Sequence, residues 1–205
     1  MTERLSLSRT ARGIDLAQQQ FTQSPELQVA FQAIEDAAIH LLQVATAIGP
    51  VYKVSNTTTT YVEVFCSIFY PRVAALINSS MNGTIQVLGA SSATLSLSGR
   101  TAWKIDALRT ICSHMLFSGP LAHEALMHPH TGCFGLVCLN SHEMDAIAAV
   151  RAQQTDAPHV VLKMCQVTPT TFSVMELQQF HAQLEYLAHF VLDVTTHDGP
   201  VQCAF

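Results

Sequence analysis

The sequence predicts a single-domain α+β protein in which amphipathic helices cover one mixed β-sheet. Three observations predict this fold class. Apolar residues recur at helical spacing in long segments near both ends of the chain. Short runs of β-branched and aromatic residues lie between turn-forming residues, and two of them are close enough for an antiparallel hairpin. The C-terminal third alternates strand and helix, which is typical of a parallel crossover. The expected sheet therefore combines an N-terminal antiparallel hairpin with a C-terminal β-α-β-α unit.

The first predicted element is a helix from Pro25 to Ile48. Ser24 suits the N-cap because its hydroxyl can accept a hydrogen bond from a backbone N–H of the first turn, and a proline at the first helical position has no N–H to lose. Gly49-Pro50 ends the helix. The apolar residues of one face step by three and four: Leu27, Phe31, Ile34, Ala38, Leu41, Ala45 and Ile48.

The next region is predicted to supply the first strands. Tyr61–Phe69 is rich in β-branched and aromatic residues, which favours a strand. Pro71 is expected to begin a short helix. Thr84–Gly89 and Thr94–Ser98 are predicted to pair as a hairpin, because a short polar turn separates them and the second run alternates Leu with Thr and Ser.

The C-terminal half is predicted to continue as helix, strand, helix, strand and helix. The last helix begins with a capping box formed by Ser173 and Glu176, in which each side chain can bond a free backbone N–H. The five predicted elements are a helix over Arg100–Phe117, a strand over Phe134–Leu139, a helix from Asn140 to Gln154, a strand over His159–Val167 and the helix after Ser173.

The chain is predicted to hold one domain between two terminal segments. Residues 1–23 are expected to form a flexible N-terminal arm, residues 24–194 a single globular α+β domain and residues 195–205 a C-terminal tail. No repeat or linker divides the central part.

Charge and composition exclude several classes of function. Charged residues make up only 12% of the 205 residues, about half the usual share of ~25%, and the net charge is −5. Such a chain offers no basic field for nucleic acid. It also contains no apolar run long enough for a transmembrane segment. Interface cores are depleted in charge, so the low charge favours a surface that is covered by a protein partner or by another copy of the chain.

The cellular compartment is predicted from the cysteines and the N-terminus. Six cysteines are spread through a chain that is long enough to fold without disulfides, and no secretory signal precedes them. We therefore expect reduced thiols in an intracellular protein, with the cytoplasm as the first choice. An Arg- and Ser-rich beginning is also typical of mitochondrial presequences, which makes the mitochondrion the alternative.

A histidine-rich loop is the alternative candidate for chemistry. His123, His128 and His130 are ligand types that zinc accepts, and Glu124 could act as the general base of a small zinc hydrolase. The spacing differs from the His-Glu-x-x-His pattern, because five helical steps place two rings about 140° apart. The preferred prediction is therefore no metal, no cofactor and no catalytic residue here, and zinc with these ligands is the alternative.

A second row of polar residues lies in the last predicted helix. His181, Glu185, His189 and Asp193 are four residues apart, so neighbours in the row can touch. The row is predicted to form side-chain pairs. It could also respond to pH, because the chain has ten histidines against ten lysines and arginines.

These observations predict a non-enzymatic interaction subunit that acts by self-association or within a multiprotein assembly. No complete catalytic motif accompanies the fold, and neither a nucleophile elbow nor a phosphate-binding glycine loop occurs. The sequence leaves the zinc hydrolase as the alternative function.

Overall fold

The computed structural model describes residues 11–55, 57–80, 84–90, 102–111, 133–139, 160–166, 174–195 and 202–204. Helices predominate among them. The helices are α1 (Ala11–Gln23), α2 (Pro25–Ile48), α3 (Thr59–Phe69), α4 (Pro71–Ser79), α5 (102–111) and α6 (Val174–Thr195). The strands are β1 (Val51–Ser55), β2 (Ile85–Gly89), β3 (Cys133–Leu139), β4 (Val160–Gln166) and β5 (Gln202–Ala204). Within these described helices, none combines the length and the apolar character that a membrane crossing requires.

The chain divides into two compact units. The first comprises Met1–Ser91 and Pro169–Leu192, and the second comprises Ser92–Thr168 and Asp193–Phe205. Each unit thus consists of two separate segments of the chain, and the boundary between the units at residues 192 and 193 falls within α6. The predicted boundaries at residues 23 and 194 stay predictions, although residues 11–23 of the expected arm form α1.

The core of the first unit is built by helices from both of its segments. Phe31 is 1% exposed, and its ring centroid lies 5.3 Å from those of Phe21 and Tyr70 and 5.6 Å from that of Phe69. The buried members of this core are Ala17, Leu27, Phe31, Ile34, Ala37, Phe69, Leu177 and Leu184.

Two strands complete the first unit. β1 pairs with β2 in parallel, from Val51 opposite Ile85 to Ser55 opposite Gly89, and α3 and α4 connect them. Gly89 approaches the beginning of α3 so closely that a Cβ there would lie 2.2 Å from the backbone nitrogen of Thr59. No larger residue fits at this position without a shift of the backbone.

The second unit contains α5 and a parallel sheet in the order β3-β4-β5. β3 and β4 pair over seven residues, from Cys133 opposite Val160 to Leu139 opposite Gln166. β5 adds to the other edge of β4. Ala107, Leu108 and Ile111 of α5 are buried.

The predicted fold class is wrong. The described residues are mainly helical, and their strands lie in two separate parallel sheets rather than in one mixed sheet with an antiparallel hairpin and a β-α-β-α unit. Residues 84–89, predicted as half of the hairpin, supply β2, which pairs in parallel with the unpredicted strand β1. Residues 94–98 and 140–154, predicted as a strand and a helix, lie outside the described residues.

The strand predicted over Tyr61–Phe69 is also wrong, because this segment is helix α3. Thr58 caps the helix by accepting a hydrogen bond from Tyr61 N at 3.2 Å. The two buried residues of the helix, Val62 and Phe69, are seven positions apart and therefore lie on one face. Burial of that face against other helices outweighs the preference of β-branched and aromatic residues for strands.

Two helix predictions are confirmed at their N-terminal ends. α2 begins at Pro25 behind Ser24, whose hydroxyl accepts a hydrogen bond from Leu27 N at 3.4 Å. α4 begins at Pro71, as predicted. In both cases proline occupies a position where a missing N–H costs nothing.

Candidate functional site

The histidine-rich loop lies outside the described residues. His123, Glu124, His128 and His130 all fall in the undescribed segment between α5 and β3, so the zinc alternative and its ligands stay predictions. Among the residues that are described, no three His, Cys, Asp or Glu side chains are placed to hold a metal ion together.

The polar row of α6 is described in full. His181 and Glu185 are half-buried, whereas His189 and Asp193 are exposed. The row changes environment because four residues turn a helix by about 400°, so each step moves the row about 40° around the axis. Along this described helix, no side-chain hydrogen bond joins Glu185 to His181 or to His189. The pairing and the pH response of the row stay predictions.

The second half of α2 is apolar but not buried. We call residues 38–48 the distal segment. Eight of its eleven residues are apolar, and it contains no Asp, Glu, Lys or Arg. All the buried residues of α2 lie before it, between Leu27 and Ala37. Within the segment, only Ala38 and Leu41 pack against the core cluster, and Ile48 is 40% exposed.

The polar residues of the distal segment occupy a narrow strip. His40, Gln43 and Thr46 are three positions apart, so they cover about 120° of the helix circumference. Thr46 satisfies its hydroxyl inside the helix by donating to the carbonyl oxygen of Leu42 at 2.8 Å. The rest of the circumference is apolar, which is typical of a buried helix rather than of an exposed one.

Helix α6 also presents apolar side chains to solvent. Met175 is 62% exposed and Tyr186 is 52% exposed. These residues lie on one side of the helix, because they are eleven positions apart and this spacing corresponds to about three turns. The ring of Tyr186 stacks on that of Phe190 with centroids 6.3 Å apart. The exposed side of α6 is therefore partly aromatic.

A buried carboxylate joins α2 to α4. Glu35 is 6% exposed and accepts hydrogen bonds from the backbone nitrogen of Arg72 at 2.6 Å and from its Nε at 2.9 Å. Val73 N donates to the same carboxylate at 3.3 Å. Asp36 binds the other end of the Arg72 guanidinium, and both carboxylates raise the pKa of Arg72. Because free N–H groups at a helix N-terminus attract anions, Glu35 caps α4. We assign this cluster a structural role.

The carboxyl edge of the β1–β2 sheet is closed by the chain itself. Ligands of parallel sheets often bind at this edge, against a helix N-terminus. Here Ala90 N donates to the carbonyl oxygens of Ser55 and Thr57, and Gly89 packs against the backbone of Thr59. The space in front of α3 is thus filled by the end of β2.

A cleft of about 420 Å³ lies between α3, α4 and β2. Its apolar lining comprises Val62, Val64, Cys66, Ala74, Ile77 and Val87, and its polar lining comprises Glu63, Ser67 and Asn78. Burial raises the pKa of the Cys66 thiol, and the charge of Lys53 opposes that rise only in part. A thiol that stays protonated at neutral pH is a poor nucleophile, so the cleft does not support cysteine catalysis.

Sequence reasoning missed both Glu35 and the cleft. The signal for Glu35 was its position next to Ile34 on the apolar side of α2, where an unpaired carboxylate would be costly. The signal for the cleft was absent, since it required α3 to be recognised as a helix. Comparisons of this chain with family models, with known proteins and with solved structures returned no match.

Proposed function

We propose that this protein is a non-enzymatic interaction subunit that acts by self-association or within a multiprotein assembly. The observation that carries the proposal is the distal segment of α2, which is apolar, free of formal charge and without a buried residue. Apolar surface that stays incompletely buried can mark an interaction site on a protein. The low overall charge of the chain agrees with it, because charged residues are depleted from interface cores.

The distal segment alone does not provide enough apolar surface for stable association, so a second surface must contribute. Covering the exposed part of one Leu, Val or Ile side chain contributes about 1 kcal/mol, and the segment holds only a few such side chains. Association costs at least ~4 kcal/mol in lost translational and rotational freedom. The exposed side of α6 offers further apolar area, with Tyr186 as the kind of aromatic residue that is enriched at binding hot spots.

Light scattering on the purified chain at micromolar concentration tests self-association. We expect an oligomer that dissociates when Leu42→Glu and Ile48→Glu are combined, because a charge in the distal segment would be buried on association. Val29→Glu is the matched control, since Val29 lies on the same helix and is even more exposed, at 69%. The wild-type chain as a clean monomer, or equal dissociation by the control, would contradict self-association through this segment.

Assembly with a different protein requires a second arm of the same experiment. If the wild-type chain is monomeric, cross-linking in cells should capture partners through residues introduced in the distal segment and not through position 29. Equal capture at both positions, or none at either, would sink the proposal.

A further inference from the structure

The cleft between α3, α4 and β2 has the size and lining of a small-molecule site. Its volume of about 420 Å³ falls within the range of ~300–1,000 Å³ that is typical of ligand pockets. Its apolar residues come from three elements: Val62 and Cys66 from α3, Ala74 and Ile77 from α4, and Val87 from β2. A site of this kind takes an apolar body and orients it with a few polar groups.

A lysine lies beside the apolar lining. Lys53 is the register partner of Val87 in the parallel β1–β2 pair, and partners in such a pair project to the same face of the sheet. Lys53 is also the charge that acts on the Cys66 thiol, where it lowers the pKa against the larger effect of burial. Lys53 therefore places a positive charge beside the cleft, on the side of β1.

The polar side chains of the cleft differ in what they can still bind. Ser67 donates its hydroxyl to the carbonyl oxygen of Val64 at 2.8 Å and so satisfies its donor within α3. In the described structure, Glu63 lines the cleft and Lys53 lies beside the lining, next to Val87, and the two make no ion pair with each other. Glu63 and Lys53 are both exposed, so water screens both charges. Lys53 is the cation beside the cleft that can pair with an anionic ligand, and Glu63 opposes that ligand in part.

We propose that this cleft binds a small apolar carboxylate, whose hydrocarbon part lies against Val62, Cys66, Ile77 and Val87 and whose carboxylate pairs with Lys53. The pair with Lys53 favours the anion over an uncharged molecule of the same shape, against the partial opposition of Glu63. The site lies apart from the distal segment of α2, so it does not depend on the association proposed above.

Protection of Cys66 from alkylation tests the proposal, with octanoate as the probe. Cys66 is the sole cysteine of the tryptic peptide that spans residues 54–72, so its reaction with iodoacetamide can be followed by mass spectrometry in the full-length chain. We expect octanoate to slow the reaction in a saturable manner. Octanol should protect about threefold less at equal concentration, because an exposed ion pair contributes on that scale. Glutathione controls for any effect of the probes on the reagent.

Substitution of the two exposed residues Lys53 and Glu63 tests whether the effect of charge on binding has the proposed direction. Lys53→Gln should abolish the advantage of octanoate over octanol. Glu63→Gln should increase this advantage, because it removes a negative charge from the lining of the cleft. Lys104→Gln is the matched control, since Lys104 lies on α5 outside the lining of the cleft, and it should change nothing. Absence of protection by octanoate, equal protection by octanol in the wild-type chain, or an unchanged advantage in Lys53→Gln would overturn the proposal.

Discussion

The two halves of helix α2 are built from similar apolar residues, yet they differ in what covers them. In residues 25–37, Leu27, Phe31 and Ile34 are at most 2% exposed. In the distal segment no residue is buried, although eight of eleven are apolar. The periodicity of a helix shows which face could be buried, and the arrangement of the other elements decides where burial ends. Here α1, α3 and α6 pack against the first half of α2, whereas the second half is only partly buried in the part of the chain that the structure describes.

The largest loss of stability is expected from a substitution in the buried half of α2. Phe31→Ala should lower the free energy of unfolding by about 3–5 kcal/mol, because it leaves a cavity among Phe21, Phe69 and Tyr70. Leu42→Ala, in the distal segment of the same helix, should cost less than about 1 kcal/mol at concentrations where the chain is monomeric. Urea denaturation measures both. Equal losses would mean that the distal segment is covered within the monomer, which removes the contrast between the halves.

A smaller effect should separate two neighbouring carboxylates of α2. Glu35→Gln should destabilise the chain by about 2 kcal/mol, because the buried amide cannot accept hydrogen bonds with both of its terminal atoms. Asp36→Asn removes an exposed ion pair to the same arginine and should cost much less. Both carboxylates bind Arg72, but only Glu35 is buried. The difference between the two midpoints of denaturation therefore measures how much burial of the carboxylate adds to its contribution. A larger loss for Asp36→Asn would show that the exposed pair, rather than the cap of α4, fixes the contact.

The smallest effect should appear at alkaline pH. Burial raises the pKa of Tyr70, which stacks on Phe31, above its ordinary value, and burial raises the pKa of Cys66 above 9.0. The folded chain therefore keeps both protons to a higher pH than the unfolded chain does. Their contribution is complete below pH ~9 and is lost as the pH rises through the raised values.

Thermal unfolding across pH 8 to 11 measures this loss. Tyr70→Phe and Cys66→Ala should each flatten the decline, and Tyr186→Phe, on the exposed side of α6, is the control. A profile that both variants leave unchanged would show that these two groups do not govern the alkaline limb.

The sequence predicted those elements whose ends carry local signals. Ser24 and Pro25 define the beginning of α2, and Pro71 defines that of α4, because capping and proline act within one turn. The strand predicted at residues 61–69 failed because its residue types favour a strand, whereas its burial follows the seven-residue spacing of Val62 and Phe69. Pairing of β1 with β2 was missed because it joins residues 34 positions apart, as from Val51 to Ile85, and no local pattern encodes a partner at that distance.

The candidate surfaces were predictable to different degrees. Low charge pointed to a covered surface, and the apolar character of the distal segment is visible in the sequence. Its incomplete burial was not, because helix periodicity alone assigns Leu41, Ala45 and Ile48 to the core along with Phe31. The cleft depends on three elements that meet in space, so its lining could not be assembled from spacing along the chain.

The first unit is built from two segments that are far apart in the chain, and this has a consequence for the order of folding. Leu177 and Leu184 share a core with Ala17 and Phe31, so residues far apart in the chain must meet before that core is complete. During synthesis the N-terminal helices emerge long before α6. Part of their apolar surface is therefore exposed to water until α6 has been made. Closing so long a loop adds a modest entropic cost but slows the search for the native contacts. We therefore expect a folding intermediate in which α1 to α4 have associated and the place of α6 is still empty, a species for which chaperones would compete.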